Sequence, residues 1–153
     1  MAIANLIRVT LLTFPWVTLV FLPKRSIQEF LPVSFIASIL VAGISAMAVR
    51  YKWWIVDGGW KSRVFNDTSF ILGPFFVGTL WIFHISFGNF KRYFLVNLIM
   101  DLMFSYPLNY LFQRFKLYRL VNFTPRKIFL FFISFSFIIY GSQLMLKRLK
   151  WSD

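Results

Sequence analysis

Five apolar runs, near residues 3–22, 30–49, 69–87, 93–112 and 128–146, follow one another with short polar gaps between them. Each is long enough to cross roughly 30 Å of hydrocarbon as an α-helix. Inside lipid no water is at hand for backbone N–H and C=O groups, so a spanning segment must bond them internally. The chain is therefore expected to be all-α, a multi-pass transmembrane bundle of five helices in one membrane-embedded domain over residues 1–153. Composition agrees: 59% of residues are hydrophobic and 14% are charged, where a soluble domain would have about a quarter charged. A soluble fold of this length lacks the interior to hide so much Phe, Leu and Ile.

Seventeen Lys and Arg stand against five Asp and Glu, a formal charge of +12. The bases sit almost entirely in the gaps between runs. Placed there, they are topology signals and contacts for anionic lipid head groups, and no basic polar surface remains that would suit nucleic acid. There is no cysteine and one histidine, His84. That excludes disulfides, a thiol nucleophile and a His-pair metal motif, and nothing in the sequence implies a cofactor. Beyond lipid, the partners expected are a second copy of the chain or another membrane protein.

The first run is read as a retained helix. A signal peptide is the rival, but Arg8 is the one early base and Pro23-Lys24-Arg25 follows in place of small residues. Pro15 is expected to bend it. In the second run Pro32 falls in the first turn, and Ser34, Ser38, Ala42 and Ala46 recur every fourth residue as a small-residue face for helix packing. Residues 50–68 hold a turn signal, Asp57-Gly58-Gly59, among Trp, Tyr, Lys and Arg. The mixture reads as an interfacial belt with rings at head-group depth, ahead of a ligand-binding loop. Asn66-Asp67-Thr68 offers caps for the third run, and Arg63 can pair with Asp67 if that helix starts early. Gly73-Pro74 and Gly78 mark a kink or a close contact.

With five crossings, the N-terminus shares a side with loops 50–68 and 113–127. That side carries ten bases against seven opposite, so a cytoplasmic N-terminus and an external C-terminus are expected.

Asp101 is the acid buried inside an apolar run, near the middle of the fourth. Asn97, Asp101, Ser105 and Asn109 recur at every fourth residue, a polar strip that winds slowly around its helix. An unpaired carboxylate at that depth costs several kcal/mol, so it should face the bundle interior or a watery cavity. Arg8, His84 and Gln143 are its candidate partners. Pro107 removes a donor beside the strip and would free a carbonyl near Met103. Three roles compete. Asp101 and the amides can fix helix register by hydrogen bonds. They can instead line a path on which Asp101 binds a cation or proton, although five short helices would need to oligomerise to enclose it. Acid–base catalysis by Asp101 with His84 is the third and weakest reading, since no nucleophile or oxyanion donor stands at a recognisable spacing. Whether the chain is an enzyme stays open at this point, with the balance against it.

Several stretches carry a resemblance: Lys24-Arg25-Ser26 with Phe30-Leu31-Pro32, Tyr51-Lys52-Trp53-Trp54 with Gly59-Trp60, Gly73-Pro74-Phe75-Phe76-Val77-Gly78-Thr79-Leu80-Trp81-Ile82-Phe83, and Asn97-Leu98-Ile99-Met100-Asp101. Together they resemble a group of small, uncharacterised multi-pass membrane proteins of Bacillus-like, spore-forming bacteria, from about residue 24 onward. The resemblance implies a bacterial plasma-membrane location and no particular activity.

Overall fold

The computed structural model describes residues 1–151, and apart from one short strand pair its regular structure is helical. Five helices are long and apolar enough to cross a membrane: α1 (Ala2–Phe21), α2 (Lys24–Tyr51), α3 (Gly59–Ser86), α4 (Phe90–Arg114) and α5 (Pro125–Trp151). Many of their large apolar side chains point outward, among them Phe14, Val20, Ile39, Leu95 and Met145. An outer surface of that kind suits hydrocarbon and would be a liability in water.

The helices overrun the apolar runs. Span length follows hydrophobicity, whereas a helix continues into the head-group layer wherever its polar turns can reach water. So α2 begins at Lys24, six residues early, and Pro32 lies well inside it rather than in its first turn. Likewise α3 begins at Gly59. Asn66, Asp67 and Thr68 are therefore interior to the helix and do not cap it. The early start does let Arg63 Nε approach Asp67 Oδ2 at 3.6 Å, one helical turn away. Gly58 and Gly59 both have positive φ, 101° and 81°, and make the turn that the Asp-Gly-Gly signal predicts.

Pro15, Pro74 and Pro107 are absorbed in two ways. Pro15 stays within α1, which tightens to a 3₁₀ turn over Leu19–Phe21. Pro74 and Pro107 sit in π turns, Ile71–Phe75 in α3 and Phe104–Leu108 in α4. A widened turn reassigns the carbonyls that proline cannot serve and keeps the helix continuous. At the first π turn α3 crosses α1 so closely that a Cβ on Gly73 would stand 2.0 Å from the Leu11 carbonyl oxygen. Gly78 has open space around it and makes no such contact. Trp16 Nε1 reaches across the same crossing to the Leu72 carbonyl, 2.9 Å away.

The small-residue face of α2 is half right. Ser34 and Ser38 are buried, while Ala42 and Ala46 are exposed. A four-residue step winds about 40° per repeat, so the stripe leaves the interface, and the buried face passes instead through Val41, Ile44 and Ala48.

Both long loops gather at the end that holds the N-terminus. Two short strands, β1 (Trp54–Ile55) and β2 (Arg119–Leu120), pair antiparallel there. Trp53 stacks on Phe123 with ring centroids 4.6 Å apart. Part of the expected interfacial belt is thus packed inside the loop layer, and Trp60 remains outward at 68% exposure. The opposite end joins the start of α2 to the end of α3, where Ser26 Oγ and His84 Nδ1 lie 2.8 Å apart.

Candidate intramembrane polar site

The strip on α4 faces inward along its whole length. Asn97, Ser105 and Asn109 are buried and Asp101 is half-buried. In an unbroken α-helix the last two would have wound toward lipid. The π turn at Phe104–Leu108 turns each residue through a smaller angle and takes that rotation back.

The strip does not act as one group. Asn97 Nδ2 donates to its own helix, at the Tyr93 carbonyl (2.9 Å). Asp101 Oδ2 accepts from Ser136 Oγ of α5 at 3.3 Å, and the same hydroxyl lies 3.0 Å from the Phe132 carbonyl. Two turns earlier on the same helix, Tyr93 donates its hydroxyl to the Ser136 carbonyl at 2.8 Å. Two side chains of α4 thus meet one residue of α5. Ser105 Oγ has no partner among the described residues. Asn109 Oδ1 accepts from Tyr118 in the second long loop at 2.7 Å. Burial pushes the Tyr118 phenol well above its usual range, which keeps it a donor.

Asn97, Asp101 and Ser136 also border a cleft of about 260 Å³ between α2, α3, α4 and α5, together with Thr79. Its remaining walls are mostly apolar, Phe104 and Phe132 among them. Among the described residues, no three His, Asp or Glu side chains come together to hold a metal ion.

None of the three expected partners reaches Asp101. Arg8 is buried at the N-terminal end, where its guanidinium makes three hydrogen bonds. Nε bonds Asn66 Oδ1 at 3.1 Å, one terminal nitrogen bonds Asn5 Oδ1 at 2.8 Å, and the other bonds the Leu117 carbonyl at 2.9 Å. A single side chain therefore ties α1 to α3 and to the loop before α5. Asn66 in turn approaches Asp67 at 3.5 Å, which links Arg8 to the Arg63–Asp67 pair. His84 is exposed beside Ser26 and edge-on to Trp81. Gln143 is buried near the far end of α5, where it lines a different cavity from that of Asp101.

Sequence reasoning singled out neither Ser136 nor Tyr118, and it took Asn66 for a helix cap and not for the acceptor of Arg8. A serine in an apolar helix commonly bonds its own turn, as Ser134 and Ser142 do here, so nothing marks Ser136 before α4 is docked. No protein-family model, characterised protein or solved structure matches this chain significantly.

Proposed function

We propose that this multi-pass membrane protein is a non-enzymatic component of a bacterial plasma membrane, acting through helix–helix and lipid contacts, with its N-terminus in the cytoplasm. The observation that carries the reading is the disposal of the intramembrane polar groups. Asp101 is engaged by Ser136, Asn97 by its own helix and Asn109 by Tyr118. These bonds join neighbours pairwise, and of the strip Ser105 alone is left without a partner among the described residues. The bacterial location rests on the resemblance described above, and the orientation on the excess of bases at the N-terminal end.

Asp101→Asn tests the role of the carboxylate. The amide oxygen can accept from Ser136 as the carboxylate does, and such inter-helix bonds are worth about 0.6 kcal/mol on average. The variant is expected to melt within about 1 kcal/mol of the wild type. Proteoliposomes of either should hold a pH or sodium gradient as long as protein-free vesicles do. The second reading is a small-solute or cation carrier, favoured by the cleft that Asp101 and Asn97 border. It predicts a flux in the wild type that a normally folded Asp101→Asn protein loses.

Orientation has its own test, made simple by the absence of cysteine. Asn89→Cys should react with a membrane-impermeant maleimide on intact cells, and Asp57→Cys only after permeabilisation. The reverse pattern contradicts a cytoplasmic N-terminus.

A further inference from the structure

At the end of the bundle away from the N-terminus, the first turns of α2 and the last turns of α5 face each other across a cavity of about 270 Å³. Three cations stand on it, Arg25, Lys147 and Lys150, with one carboxylate, Glu29. Among the described residues none of the three cations is within ion-pair distance of a carboxylate. Lys147 Nζ also lies 5.0 Å from the centroid of the Phe87 ring, a cation–π contact. The floor is Gln143. It is 2% exposed, and its Oε1 has no hydrogen-bond partner among the described residues. An unbonded amide oxygen is expensive to bury, so the site favours an occupant that brings a donor to it. Trp151 on the rim places the cavity at head-group depth.

We propose that this cavity is a specific site for a phospholipid headgroup that joins a phosphodiester to a neutral hydroxyl donor, as phosphatidylglycerol does. The phosphodiester is held by Arg25, Lys147 and Lys150, and the headgroup hydroxyls bond Gln143 Oε1 and Glu29. Three bases against one acid give the cavity a net positive charge, so an anionic lipid is attracted to it. A zwitterionic lipid gains no net attraction, and its ammonium would enter among three cations. The inference rests on the lipid-contact reading above, but its residues lie apart from Asp101, so the two can fail separately.

The test is lipid retention by the full chain in native mass spectrometry, after detergent exchange into defined lipids. The probes are phosphatidylglycerol, phosphatidylmethanol (the same charge without a headgroup hydroxyl), phosphatidylcholine and inorganic phosphate. Wild type should retain phosphatidylglycerol about tenfold over phosphatidylcholine, a difference of about 1.4 kcal/mol. It should also favour phosphatidylglycerol over phosphatidylmethanol by several-fold. Gln143→Leu should erase the second preference and keep the first. Arg25→Ala with Lys147→Ala should bring phosphatidylglycerol down to the phosphatidylcholine level. If that double variant does not fold, Lys150→Gln on the exposed last turn should still reduce the first preference. Equal retention of phosphatidylglycerol and phosphatidylcholine by the wild type overturns the proposal. So does a Gln143→Leu protein that still prefers phosphatidylglycerol over phosphatidylmethanol. Displacement of bound phosphatidylglycerol by inorganic phosphate would reassign the cavity to a free anion and overturn the lipid as occupant.

Discussion

Arg8→Met should lower the unfolding free energy of the bundle by about 3 kcal/mol, the scale of losing hydrogen bonds to a charged donor and leaving their buried acceptors unbonded. The guanidinium is 3% exposed and bonds three oxygens from α1, α3 and the loop before α5. Methionine fills much of the stem volume but brings no donor. The Leu117 carbonyl and Asn66 Oδ1 would then lie buried and unbonded, at about 1–3 kcal/mol each before relaxation. Arg8→Lys should recover part of the loss, because an ammonium can serve some of these acceptors but lacks the planar fork that reaches three directions. Thermal unfolding in a mild detergent, followed by near-ultraviolet circular dichroism of the Trp-rich loops, measures both. Equal melting of wild type and Arg8→Met would show that the N-terminal end is held by its aromatic packing alone.

Gly73→Ala should be the most damaging single methyl in the chain. Its Cβ would stand 2.0 Å from the Leu11 carbonyl oxygen, and that atom belongs to a helix backbone that cannot swing aside. To admit it, α1 must move off α3, which strains the Trp16–Leu72 hydrogen bond at the same crossing. Overpacking of this kind costs about 1–3 kcal/mol and occasionally more. Gly78→Ala is the control. It lies on the same helix with nothing within 4 Å of the added carbon, so the substitution should be neutral or stabilise by up to about 1 kcal/mol. Unfolding of the two variants side by side separates a close helix approach from a general need for glycine in α3. Equal melting of both would contradict the close crossing.

The number of helices and their order were legible because crossing hydrocarbon requires an apolar run of a certain length, and that length can be read from one chain. Helix ends were not. The first turns of α2 and α3 are polar and look like loop, yet water at the head-group layer lets the backbone continue as helix through Lys24–Glu29 and Gly59–Thr68. The prolines announced disturbances at Pro74 and Pro107, but a π turn and a kink have the same signature in sequence. That distinction mattered at α4, since the wider turn kept Ser105 and Asn109 inside.

The site was legible in part for a similar reason. A lone carboxylate in an apolar run points to Asp101, and a lone base in another points to Arg8. Their partners depend on which helices dock, and the docking runs through contacts with no local mark. Asn66 was read as a helix cap because the helix was expected to start after it, and this hid the acceptor that Arg8 uses. The every-fourth-residue stripe on α2 failed at Ala42 and Ala46 because identical spacing does not mean an identical face.

The most direct test of Asp101 as a helix-to-helix contact is native mass spectrometry of the gently solubilised protein, wild type beside Asp101→Asn. The structural role predicts that both fold and carry the same adducts, phospholipid alone. A non-lipid ligand bound to the wild type and absent from an equally folded Asp101→Asn protein would contradict it, and would make the cleft beside Asp101 a solute site.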